Sequence, residues 1–111
     1  EEFKIAFRIL NSYYDTLFNY VDAKYKSELK DSYSLTDGYK SEHLRLLKNQ
    51  KETIIKSRND FNKFLNSTTS IIDFEYSGGS MRSLVVNQYA LDITINQIKV
   101  LDNLMNEIIS K

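Results

Sequence analysis

Along the first third of the chain, Phe3, Phe7, Leu10, Tyr14, Leu17, Val21 and Tyr25 recur at spacings of four and three. Only a helical period of 3.6 keeps such positions on one face, so the pattern predicts a helix over residues 2–32. The stretch SYSLTDG at 32–38 then supplies turn formers. Gly38 is able there to adopt positive φ, and Thr36, Asp37 or Ser41 is placed to cap the next helix.

A second series, Leu44, Leu47, Ile54, Phe61, Leu65, Thr68 and Ile72, is close to a heptad repeat. Lys51 and Arg58 occupy two slots that the repeat would make apolar. At that depth each is expected to lay its stem over the core or to pair with a carboxylate on a neighbouring helix. The series dissolves into NSTTSIIDFEY, whose β-branched and short polar residues are weak helix formers, and the predicted helix runs over 40–74.

The third series comes after SGGS: Leu84, Leu91, Ile95, Ile98, Met105 and Ile109, with Leu101 at its edge. Ser80 or Ser83 is a candidate cap. Leu91-Asp92-Ile93-Thr94-Ile95-Asn96 also alternates as a half-buried strand would. The helical register persists over many more residues than the alternation, so a helix over 81–110 is expected. Three long amphipathic helices with short connections predict an all-α, up-down-up antiparallel three-helix bundle forming one domain, with room for a partner or second copy to add a fourth helix or more.

Composition removes whole classes of chemistry. With no proline and three glycines, little interrupts the helices. Without cysteine there is no disulfide, thiolate metal site or thiol nucleophile. His43 is the single histidine, so no histidine pair can bind a metal, and it stands near a helix start without a positioned serine or threonine. The carboxylates form no close motif. Asp102, near the third apolar face, is expected to pair with Lys51 or Arg58. SGGS lacks the lysine of a phosphate loop. Catalysis, a cofactor and a metal are therefore not expected.

Fifteen basic and fifteen acidic side chains cancel, and no long-range field draws the chain toward nucleic acid. The distribution is uneven, however. Residues 39–65 carry seven cations, and Arg45, Lys48, Lys56 and Lys63 mark a basic face on the second helix. One reading of that face is a peripheral site for anionic lipid or phosphate.

A broader hint lies in the width of the apolar faces. Beside the main stripe of the first helix runs a second, Ala6, Ile9, Tyr13 and Tyr20, and the third helix has a flank of Val86, Ala90, Ile93, Leu104 and Ile108. Such width exceeds the stripe of a helix lying on one core and asks for another neighbour. The leading expectation is a non-enzymatic interaction module, a subunit or scaffold that packs on partner helices or a second copy through Ile9, Tyr13, Tyr20, Ile93 and Leu104. A small secreted or surface factor of a low-GC microbe or parasite is a further alternative. The chain opens on Glu1-Glu2 rather than Met, which reads as an excerpt, and no signal-peptide pattern or apolar run of membrane-spanning length occurs. A cytoplasmic location is the corresponding expectation.

Ser77-Gly78-Gly79-Ser80 has two readings. It is a helix-ending turn, with glycine at the cap. Alternatively it is an engineered flexible joint placed before Met81, joining a helical hairpin at 1–76 to a third helix at 81–111 or shortening a longer loop.

Overall fold

A computed structural model of the protein describes residues 1–30, 37–79 and 81–109, with the backbone alone at 37–39. It contains three helices, α1 (Glu2–Lys30), α2 (Asp37–Glu75) and α3 (Arg82–Ile109), and no strand among the described residues. The helices pack against one another as an all-α three-helix bundle, 65 × 22 × 17 Å.

Side-chain pairs across the seams fix the directions. Going up α1, Asp15, Asp22 and Glu28 meet Arg58, Lys51 and His43, so α2 runs antiparallel. Ile5 and Ile9 lie beside Leu91 and Ile95, and Tyr13 meets Asp102, so α3 runs parallel to α1. By that register Ile109 stands about level with Tyr20, and the last turns of α1 have α2 alone beside them.

The core keeps the predicted rhythm in α1 and α2. Leu10, Tyr14, Leu17 and Val21 are each 1% exposed, and Leu47, Phe61 and Leu65 are buried opposite them. Burying one such leucine fully stabilises the fold by about 1.5–3 kcal/mol.

In α3 the buried face is rotated from the expected one. Ala90, Thr94 and Leu101 are buried, while Leu84, Ile95 and Ile109 are exposed. The cause is size: where helices approach closely, the buried positions take small side chains, as Ala6, Ala90 and Thr94 do. The Leu91–Asn96 alternation is wholly helical.

The weak NSTTS stretch stays helical, with its hydroxyls turned back onto the helix. Thr69 donates to the Leu65 carbonyl and Ser70 to the Asn66 carbonyl, each at 2.8 Å. That geometry removes their competition for the backbone.

The helix ends differ from expectation in detail. Ser41 and Ser83 lie inside α2 and α3 rather than capping them, and Gly38 falls in the first turn of α2. Thr36 and Ser80 lie outside the described residues, as do 31–36 in the first connection.

The second connection is a formed turn. Tyr76 N–H donates to the Ile72 carbonyl at 3.1 Å, Gly79 N–H donates to the Tyr76 carbonyl at 3.0 Å, and Gly78 has φ +81°. Across it, the Arg82 guanidinium grips both oxygens of Asp73, with Nη2 to Oδ2 at 2.6 Å. Whatever its origin, this segment behaves as a helix-terminating glycine turn with an ion pair fastening its two sides.

Candidate interaction surface

Polar groups border the apolar seams between α1 and its two neighbours. On the α1–α2 seam, the Lys51 ammonium lies 2.6 Å from Asp22 and over the rings of Tyr25 and Phe18 at 4.5 and 5.5 Å. Arg58 donates to Asp15 at 2.8 Å and to Asn11 at 2.9 Å, with its guanidinium 5.7 Å from the Tyr14 ring. The two heptad-breaking cations therefore stitch α2 to α1, as one reading of their spacing expects. The Lys51 hydrogen bond, with Lys26 assisting, holds the Asp22 carboxyl below its usual range. Between them, the buried Tyr14 phenol accepts a hydrogen bond from Gln97 at 2.9 Å, so α3 joins the same layer.

Asp102 corrects the sequence expectation. It pairs with neither Lys51 nor Arg58; it accepts a 3.0 Å hydrogen bond from the Tyr13 phenol. The reason is rotational. Lys51 and Arg58 point into the α1–α2 seam, whereas Asp102 stands on the α1–α3 seam. The hydrogen bond to Asp102 raises the Tyr13 phenol above its ordinary value, with partial desolvation and the carboxylate charge acting in the same direction.

The five anchor candidates do not share one surface. Ile9 is exposed on the α1–α3 seam, and Tyr13 on that seam packs against the core. Tyr20, further along α1, carries the Lys24 ammonium 4.5 Å above its ring. Leu104 lines a separate cleft of about 270 Å³ with Thr53, Ile54 and Ser57 of α2. Ile93 packs against the core. Much of the apolar width seen in the sequence is thus taken up by the three helices themselves. The second stripe of α1 turns toward α3, and the flank of α3 turns toward α2.

What remains is a cleft between the parallel helices α1 and α3, on the side away from α2. Ile5, Ala6 and Ile9 line it from α1, and Leu91, Ile95 and Ile98 from α3, enclosing about 510 Å³. Ile5 and Ile9, one turn apart on the α1 wall, are 51% and 46% exposed, which is high for isoleucines that line a groove. Glu2 lines the cleft from α1 and Lys99 from α3, and the Tyr13–Asp102 hydrogen bond lies one turn beyond Lys99. Of this set, sequence reasoning named Ile9 as a partner anchor, with Ala6 on the same stripe and Leu91, Ile95 and Ile98 on the apolar face of the third helix. The signal for the cleft was the i, i+4 pair Ile5–Ile9 facing Leu91–Ile95–Ile98, legible only once α1 and α3 are known to be parallel neighbours.

The basic face is half neutralised within its own helix. Arg45 makes a bidentate pair with Glu42, at 2.5 and 3.1 Å, and Lys56 lies 2.6 Å from Asp60. Both carboxyls are held low by those hydrogen bonds. Lys48 forms no ion pair within 4 Å among the described residues, and the Lys63 charge adds to that of Lys56 in holding the Asp60 carboxyl low. His43 Nδ1 lies 3.0 Å from Glu28 Oε1 across the α1–α2 seam. No group of three or more potential metal ligands occurs among the described residues, and no described helix is long and apolar enough to cross a membrane. Compared with family models, curated proteins and solved structures, the chain matches none.

Proposed function

We propose that the chain is a non-enzymatic helical scaffold that adds further helices to its bundle through the cleft between α1 and α3. The observation that carries this reading is the half-exposure of Ile5, Ile9 and Ile95 around an apolar floor of Ala6, Leu91 and Ile98. Two adjacent parallel helices leave a groove of the kind that one more antiparallel helix fills in a four-helix bundle, burying i, i+3 and i+4 side chains. The basic-face reading has less support, since Glu42 and Asp60 already hold two of its four cations.

A labelled synthetic amphipathic helix of about five turns, with a leucine stripe, tests it by fluorescence anisotropy. Saturable binding is expected, abolished by Ile5→Glu with Ile9→Glu and retained by Leu46→Glu, a change at an exposed leucine on α2. Binding indifferent to the cleft substitutions would overturn the reading.

A further inference from the structure

Resting on that reading, we infer that the occupant of the α1–α3 cleft is a second copy of this chain, seated antiparallel about a two-fold axis. The cleft is lined by one acid and one base, near its opposite ends. Glu2 stands at the Ile5 end and Lys99 at the Ile98 end, and both are exposed. Neither makes an ion pair with any described residue of its own chain. Every other residue lining the cleft is apolar.

Only one symmetric arrangement uses both charges. A two-fold axis along the bundle would lay like ends together, Glu2 at the level of Glu2 and Lys99 at the level of Lys99. An axis across the bundle, in the plane of the interface, reverses one copy. It brings Glu2 of each copy level with Lys99 of the other, so the pair forms twice. The same axis crosses between Ile5 and Ile9. Ile5 of one copy then faces Ile9 of the other, and Leu91 faces the Ile95–Ile98 turn.

The surrounding physics agrees with that orientation. The parallel pair α1 and α3 has its two helix dipoles aligned, and a reversed pair laid against it opposes them. Zero net charge means that two copies approach without long-range repulsion. The contact is short, about 12 Å along the axis from Glu2 to the level of Lys99, so the dimer is a weak one that concentration controls.

Analytical ultracentrifugation from micromolar to near-millimolar protein tests the inference, with circular dichroism confirming that each variant folds. Wild type is expected to shift from monomer to dimer, and Ile9→Glu to remain monomeric. Glu2→Lys and Lys99→Glu should each weaken dimerisation about fivefold, because symmetry counts every pair twice. The combined Glu2→Lys, Lys99→Glu variant should recover the wild-type constant, since the attraction is restored with its sign exchanged.

A monomer at all concentrations, a dimer unaffected by Ile9→Glu, or a charge exchange that fails to restore dimerisation would each overturn the inference. The amphipathic peptide separates the two levels of failure. A monomer that still binds the peptide overturns the second copy alone; a monomer that does not bind it overturns the helix-binding reading as well.

Discussion

Tyr13 on α1 donates a 3.0 Å hydrogen bond to Asp102 on α3, and this bond ties the two parallel helices together beside the apolar cleft. It also holds back the ionisation of the Tyr13 phenol through the hydrogen bond to the carboxylate. A raised folded value means that its contribution to stability is fully present below the ordinary tyrosine range and is lost as pH rises through the folded value. Ultraviolet titration should therefore show late ionisation of Tyr13 in the wild type. Asp102→Asn should return Tyr13 toward the ordinary tyrosine range, and unchanged late ionisation would count against the bond.

Thr94 is fully buried, and its hydroxyl has no hydrogen-bond partner among the described residues. Valine has nearly the same shape without the oxygen to desolvate. Thr94→Val is expected to stabilise the protein by about 1 kcal/mol in urea unfolding. A loss of stability would mean that the hydroxyl is satisfied in solution.

Gly78 has φ +81°, with open space where a Cβ would stand. The penalty for a side chain there is conformational and not steric. Gly78→Ala should cost about 1–2 kcal/mol, and Gly78→Asn less, because asparagine tolerates the left-handed region. Equal effects from both would point to some other cause.

The Asp22 carboxyl is held low by Lys51 first and by Lys26 second. A depressed carboxylate contributes stability that is present above its unfolded value and is lost as pH falls through the folded one. Thermal melts of wild type and Asp22→Asn should therefore differ at neutral pH and converge in acid, below the ordinary carboxylate range. A gap that persists there would assign the effect to packing rather than charge.

A protease site replacing Ser77–Ser80 addresses whether α3 is held by its connection or by its contacts. Ala90 and Leu101 are buried in the same core cluster as Leu10, Tyr14 and Leu17. The cut halves should stay together at micromolar concentration on size-exclusion chromatography. Halves that separate would show the turn to be essential for assembly.

The helices and their order were legible in the sequence because apolar spacing in α1 and α2 is dense enough to define one face. Lys51 and Arg58 were readable too, since a cation at a core register has few options besides snorkelling and pairing. The orientation of α3 was not legible. Counting bulky residues favours Ile95 and Ile109, yet the buried line runs through Ala90 and Thr94, where close approach rewards small side chains over hydrophobic ones. The partner of Asp102 was missed for the same reason, because a rotation of one helix changes which seam a side chain faces. The cleft depended on knowing that α1 and α3 are neighbours, a relation between distant stretches that periodicity within each helix does not contain.

That the helices are odd in number has a mechanical consequence. Glu2 and Ile109 are separated by roughly 27 Å along the bundle axis by the α1–α3 register. Tension applied through those two points pulls α1 one way and its parallel neighbour α3 the other. The load falls on Leu10, Tyr14, Leu17 and Leu101 together instead of peeling the seam one layer at a time. Such a shear geometry resists stretching far better than a hairpin pulled open from one end.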